Sequence, residues 1–234
     1  MIISVVQRKK IMKHSSLMAA INAVNKQLER DFVPHWGMPC TLKHLDAPTD
    51  SLDTAVIYIE KEVDVDDVLG YHDRTAAGVP FGVVFTDVSA MLGEPWSVTF
   101  SHEVLEIIAD PQVNLLAMGP HPKNSRKVFH WFEMCDAVQD QTYKIGRISV
   151  SNFVLPLYFT EGEEKGAHTN FLRRPLRSFG VTPGGYVGFF DPKENDHVTY
   201  APDKRAKQRL AIKRQLSESR RSNRYKSHRV SPRK

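Results

Sequence analysis

The stretch Ser101-His102-Glu103-Val104-Leu105-Glu106-Ile107-Ile108-Ala109-Asp110-Pro111 combines an apolar run, a closing proline and three closely spaced ionisable groups. It predicts a helix that stops before Pro111, and on a helix His102 and Glu106, four residues apart, point the same way and can grip one ion. Glu103 projects about 100° round the helix from His102. From there a carboxylate can reach a metal-bound water without filling a metal position. This is the layout of a hydrolytic metal centre with glutamate as its second ligand.

Upstream, Pro95 suits a first helical turn, so the motif helix is expected from about Glu94 or Pro95 to Ala109. Val98, Leu105, Ile108 and Ala109 lie near one face and Phe100, Val104 and Ile107 spread round the others, which predicts burial on all sides. Ionisable side chains on such a helix require partners. Before it, Val79 to Asp87 reads as a strand, and Pro80, which cannot donate to a ladder, makes it an expected edge strand. The segment Gly70-Tyr71-His72-Asp73 leads into that strand through a turn.

Further out, Ser15 and Ser16 are expected to cap a helix with apolar positions Leu17, Ala20, Ile21, Val24 and Leu28, ending before Pro34. Cys40 to Leu45 and Ala55 to Glu60 read as strands, with a loop at 46 to 53. Downstream come a loop at 119 to 127, the run Val128 to Val138, Tyr143 to Ile145, a strand from Ile148 to Val150 and an ordered apolar turn at 151 to 156. A charged surface loop is expected at Glu161 to Lys165, and Gly184 to Phe190 reads as the closing strand. The order of elements predicts an α+β domain over 1–190, a polar linker at 191–202 and a basic tail at 203–234, helical to about Ser219 and disordered beyond.

At 234 residues the chain supports one well-buried core with appendages. Its net charge of +5 is unevenly spread. Residues 202 to 234 carry 13 Lys/Arg against 2 Asp/Glu, so the body is acidic and the tail strongly basic. A tail of that sign is drawn to nucleic acid or to an acidic protein surface. Within it Arg220, Arg221, Arg224, Lys226 and Arg229, with Tyr225 among them, are the candidate polyanion contacts. Two cysteines, Cys40 and Cys135, exclude a disulfide framework. The N-terminus places its apolar residues before its charges, the reverse of a signal peptide, and no apolar run reaches membrane-spanning length. A cytoplasmic location, in a host cell or a virion if phage-encoded, is the expectation, with no membrane partner.

The strand bearing Gly82-Val83-Val84-Phe85 followed by a helix bearing His102-Glu103-x-x-Glu106 resembles the zincin metallopeptidases, in which an edge strand of a mixed, twisted sheet runs above a buried active-site helix. The chain is similar in particular to a group of bacterial and phage proteins sharing a Ser-His-Glu-x-x-Glu-x-x-x-Asp-Pro helix and a downstream Glu-x-x-Asp segment, from the first helix to about Gly185. The resemblance implies a metal-activated water, Glu103 as catalytic base, and His102, Glu106 and Glu133 as metal ligands. It makes Asp136 an orienting group, with Asp110 and Asp136 as reserve ligands. One divalent ion is implied, zinc first. Glu106 in place of the usual histidine is a harder ligand and brings manganese or calcium into range.

Other residues have competing readings. His102-Glu103-x-x-Glu106 is a short pattern of common residues, and Glu106 can equally accept a hydrogen bond from His102. Cys135 reads as a core residue before a ligand, and Cys40 as core. His72 reads first as a turn histidine bonded to Asp73 and second as part of the cleft. Tyr71, His72, His121, His130 and Tyr143 all remain candidates for steadying an oxyanion. Trp36, Trp96 and Trp131 read as core or cleft walls, and Gly184-Gly185 as a turn rather than a phosphate loop. The leading expectation is a metallopeptidase or related amide hydrolase with a peptide or protein substrate. The alternative is a noncatalytic virion or assembly protein that keeps the zincin shape and uses its tail to hold nucleic acid, an acidic partner or other virion proteins.

Overall fold

A computed structural model describes residues 1–7, 9–46, 55–61, 70–75, 78–162 and 166–215. The chain opens with β1 (Ile2–Gln7), whose Ile3, Val5 and Val6 are buried. Helix α1 (His14–Gln27) follows. It starts at His14, and Lys13 accepts the Ser16 and Leu17 N–H groups, so the two serines lie inside the first turn rather than capping it. Nor does the helical path end before Pro34. It widens into a π-type turn over Leu28–Phe32 and continues as α2 (Val33–Trp36). Pro34 sits in the first turn of α2, where its missing N–H is not needed.

Next come β2 (Thr41–Leu45), β3 (Ala55–Glu60), β4 (Gly70–Arg74) and β5 (Pro80–Phe85). With β1 they form one sheet in the order β2-β1-β3-β5-β4. All neighbours run parallel except β4, which runs antiparallel to β5. The sheet is therefore mixed, and β1 lies inside it. The 79–87 segment is not its edge: β5 is paired on both sides, with β3 and with β4, and β4 is the last strand among the described residues. Pro80 is tolerated because it opens the strand. Thr86 and Asp87 leave the strand to begin α3 (Thr86–Met91).

Helix α4 (Trp96–Ala109) carries the motif and packs against β4, β5 and, further along, β9. Among its last thirteen residues only Thr99 is not buried, as its apolar circumference predicts. The loop expected at 119 to 127 is the connection of a hairpin, with residues 121–126 joining β6 (Leu116–Pro120) to β7 (Lys127–Trp131). Strand β7 ends at Trp131, and the chain then turns through Glu133 to Val138. A second hairpin follows, β8 (Thr142–Ile145) with β9 (Ile148–Ser151).

Strand β10 (Val187–Asp191) is not the closing strand. It pairs with β11 (Asp196–Tyr200), which lies within the expected linker, and with β7, giving the four-stranded order β11-β10-β7-β6. Helix α5 (Lys204–Gln215) packs onto the body through buried Ala206, Arg209 and Leu210. Asp203 holds its start, accepting from the N–H of Ala206 and of Gly184. The packed body therefore reaches further than residue 190. Most of the expected 46–53 loop, residues 163–165 of the charged loop and the tail from 216 on lie outside the described residues. No helix among the described residues is long and apolar enough to cross a membrane.

Candidate metal centre

Three segments distant in sequence meet at α4. The helix contributes His102, Glu103 and Glu106, strand β4 contributes His72, and the turn after β7 contributes Glu133 and Asp136. All six side chains are 0 to 5 % exposed. His102 Nε2 lies 3.0 Å from Glu106 Oε1 and 3.3 Å from Asp136 Oδ1. His72 Nδ1 lies 3.3 Å from Glu103 Oε2 and 3.6 Å from Glu106 Oε2, and its Nε2 lies 3.8 Å from Glu133 Oε2. For metal–ligand bonds of 2.0–2.1 Å, the ligands of a tetrahedral ion are about 3.4 Å apart. The separations here bracket that value.

The turn carrying Glu133 and Asp136 is tied down from both sides. The Cys135 N–H donates to Glu106 Oε1, and Val154 N–H to the Met134 carbonyl. The Asp136 carbonyl accepts from Tyr186 N–H, and the Ala137 carbonyl from both the N–H and hydroxyl of Thr182. Gly184 adopts φ +81°, and Gly185 comes so close that a Cβ there would sit 2.5 Å from the Ala137 oxygen. The glycine pair is thus a turn, and its work is to brace the turn that presents Asp136.

Four carboxylates face two imidazoles in this buried space, an excess of negative charge that only protons or cations can relieve. The protons show the pressure. Burial pushes the Glu106 carboxyl up to about 7, with His102 opposing the shift and Glu133 and Asp136 adding to it. Burial by itself depresses the His102 imidazolium, but Glu106, Asp136 and Glu103 outweigh it and raise it to about 10. Burial, then the charges of Glu106, Asp136 and Glu103, keep the Cys135 thiol far above its ordinary range. Its S–H donates to the His102 carbonyl at 3.9 Å.

Among the described residues two sets bring possible ligand atoms within 4.8 Å of one another: His102, Glu106 and Cys135, and His72, Glu103 and Glu106. Of the residues expected from sequence, His102, Glu103, Glu106, Glu133 and Asp136 converge. Asp136 is the carboxylate close to His102, whereas Glu133 stands beside His72. Glu133, Asp136 and Asp110 are in neither set. The two oxygens of Asp110 accept the Asn114 and Leu115 N–H groups, fixing the turn after α4. The five basic residues of the tail, Arg220, Arg221, Arg224, Lys226 and Arg229, lie outside the described residues.

His72 is the residue whose place the sequence understates. It is on a strand, not in a turn, and Asp73 accepts instead from the Arg74 N–H. Strand alternation sends His72 toward α4 and Asp73 away, a signal visible only once Gly70 to Arg74 is taken as a strand. Three other candidates for the oxyanion are held elsewhere. His130 Nε2 donates to the Pro120 carbonyl, with burial lowering its pKa, and His121 packs on Phe189. The Tyr143 hydroxyl donates to Asp31. The side chain of Tyr71 lies outside the described residues.

Beside His102 and Glu103 lies a cavity of about 10 Å³, lined also by Leu92, Glu94, Val98, Thr99 and Gln139. That is room for about one water. Glu94 and Asp140, at and next to this lining, are both ion-paired to the buried Arg209 of α5. No protein-family model, curated protein or solved structure matches the chain.

Proposed function

We propose that this protein is a metal-dependent hydrolase, with a peptide or related amide as substrate. The observation that carries the reading is His102 Nε2 standing 3.0 Å from Glu106 Oε1 and 3.3 Å from Asp136 Oδ1 in a buried, negatively charged cluster. His102 and Glu106 would hold the ion, with Asp136, 3.3 Å from His102, as the further carboxylate in the place expected of Glu133. Their two carboxylates and single imidazole form a harder set than a two-histidine site, so manganese competes with zinc, and calcium is a weaker alternative. A divalent cation there supplies Lewis acidity and lowers the pKa of a water. Glu103 lines the water-sized cavity together with His102. With Oε2 turned to His72, it accepts the proton of the attacking water and returns it to the leaving amine. Strand β4, the outermost strand among the described residues and beside α4, would pair with an extended peptide by strand addition.

This reading keeps the zincin-like arrangement expected from the sequence, with β4 rather than the 79–87 strand above the helix. Metal content of the purified protein, with zinc and manganese supplied, is the first measurement, followed by hydrolysis of casein and of a mixed peptide library. The expected result is bound divalent metal and metal-dependent cleavage. Glu103→Gln keeps the ion at His102, Glu106 and Asp136 and lowers the rate by about 10²–10⁴-fold. Negligible metal binding sinks the proposal. Bound metal with no cleavage would favour the noncatalytic assembly reading, in which the tail's attraction for nucleic acid or an acidic partner is the main activity.

A further inference from the structure

The Glu106 carboxylate is shared. Its Oε1 lies 3.0 Å from His102 Nε2 and its Oε2 lies 3.6 Å from His72 Nδ1. The two histidines therefore address opposite oxygens of one buried side chain. Each imidazole also has a carboxylate of its own, Asp136 at 3.3 Å from His102 and Glu103 at 3.3 Å from His72. His72 and His102 fall in different sets of ligand atoms, and Glu106 belongs to both.

We propose that the cluster takes two divalent cations, bridged by Glu106. One is held by His102 Nε2 and Glu106 Oε1, with Asp136 Oδ1 3.3 Å from that imidazole, the other by His72 Nδ1, Glu106 Oε2 and Glu103 Oε2. This rests on the metal-site reading above and extends it from one ion to two. Charge points the same way. One divalent ion leaves the four buried carboxylates with an excess of two negative charges, whereas two ions balance them with both imidazoles neutral. Glu133 completes the second half. Placed 3.8 Å from His72 Nε2, it favours the proton on that nitrogen and leaves Nδ1 to coordinate, as carboxylates commonly do behind metal-bound histidines. Glu103 then binds through Oε2 and keeps its other oxygen for the proton of the water.

The acid carboxylate donors suit manganese well enough for it to serve as the probe. The full chain, stripped of metal, is titrated with Mn²⁺ and separately with Zn²⁺, counting bound ions by elemental analysis and recording electron paramagnetic resonance of the manganese form. The expected result is two ions per chain with a spin-coupled manganese spectrum. His72→Asn should bring the count to one and give the six-line spectrum of isolated manganese, and Glu133→Gln should weaken only the second ion, by about 10–100-fold. Because the wild-type spectrum is diagnostic by itself, a variant that fails to fold does not remove the test. Saturation at one ion, or two ions without coupling, would overturn the bridged pair while leaving the hydrolase reading in place. No bound ion would remove both.

Discussion

Glu106 is the residue under the greatest electrostatic pressure, being fully buried against His102 with Glu133 and Asp136 nearby. It and His102 both bind a proton more tightly in the folded protein than in the unfolded chain, at about 7 against 4.5 and at about 10 against 6.5. A group with a raised folded pKa stabilises the fold below its unfolded value and loses that contribution as pH climbs through its folded value. The metal-free protein should therefore become less stable from about pH 5 to 9, first as Glu106 ionises and then as His102 loses its proton. Thermal melts of chelator-treated protein across that range check this. Glu106→Gln should remove the lower part of the slope, worth on the order of 3 kcal/mol. Saturating Mn²⁺ should reverse the trend, since metal binding displaces the same protons. A flat profile without metal would contradict the cluster described here.

At the scale of elements, α4 was legible because its signal is local: an apolar circumference, Pro95 before it and Pro111 after it fix both ends and its burial. The strand above it was not. Pro80 pointed to an edge, yet β5 is internal and the outermost strand among the described residues is β4, because a proline at a strand's first residue costs the ladder nothing. The turn that presents Asp136 shows the same dependence on distant chain. It is fixed by Thr182, Gly185 and Tyr186, nearly fifty residues downstream. A methyl at position 185 would meet the carbonyl oxygens of Ala137 and Asp136 at 2.5 and 2.9 Å. These are backbone atoms that cannot swing aside. Gly185→Ala should cost about 1–3 kcal/mol and, by displacing Asp136, weaken metal binding by about 10–100-fold. A melt and a metal titration of the same variant measure both, and unchanged metal affinity would remove Asp136 from the ligand set.

At the scale of the whole molecule, the basic C-terminal region divides into two parts. Helix α5 belongs to the body, because Arg209 is buried between Glu94 and Asp140 and Arg205 pairs with Asp140 at 2.7 Å. Those pairs use cations of α5 on the acidic body, so the charge offered to a polyanion comes chiefly from residue 216 onward, the stretch with Arg220, Arg221, Arg224, Lys226 and Arg229. Removing residues 216–234 while keeping α5 should leave the melting temperature unchanged and weaken nucleic-acid binding. It should also flatten the dependence of binding on salt, because fewer counterions are released. Equal affinities for the two forms in a salt titration would take the tail out of the argument.

By itself the sequence determined the α+β class, the motif helix with its buried face, the trio His102, Glu103 and Glu106, and the opposed charges of body and tail. Each of these is a property of neighbouring residues, of helical period or of composition. Only the tertiary structure decided that His72 faces that trio, that Asp136 stands by His102 while Glu133 stands by His72, that Asp110 caps a turn, and that α5 is part of the body. Those facts depend on strand order and on contacts between segments far apart in the chain. No local pattern encodes which of several plausible carboxylates and imidazoles will share one buried space.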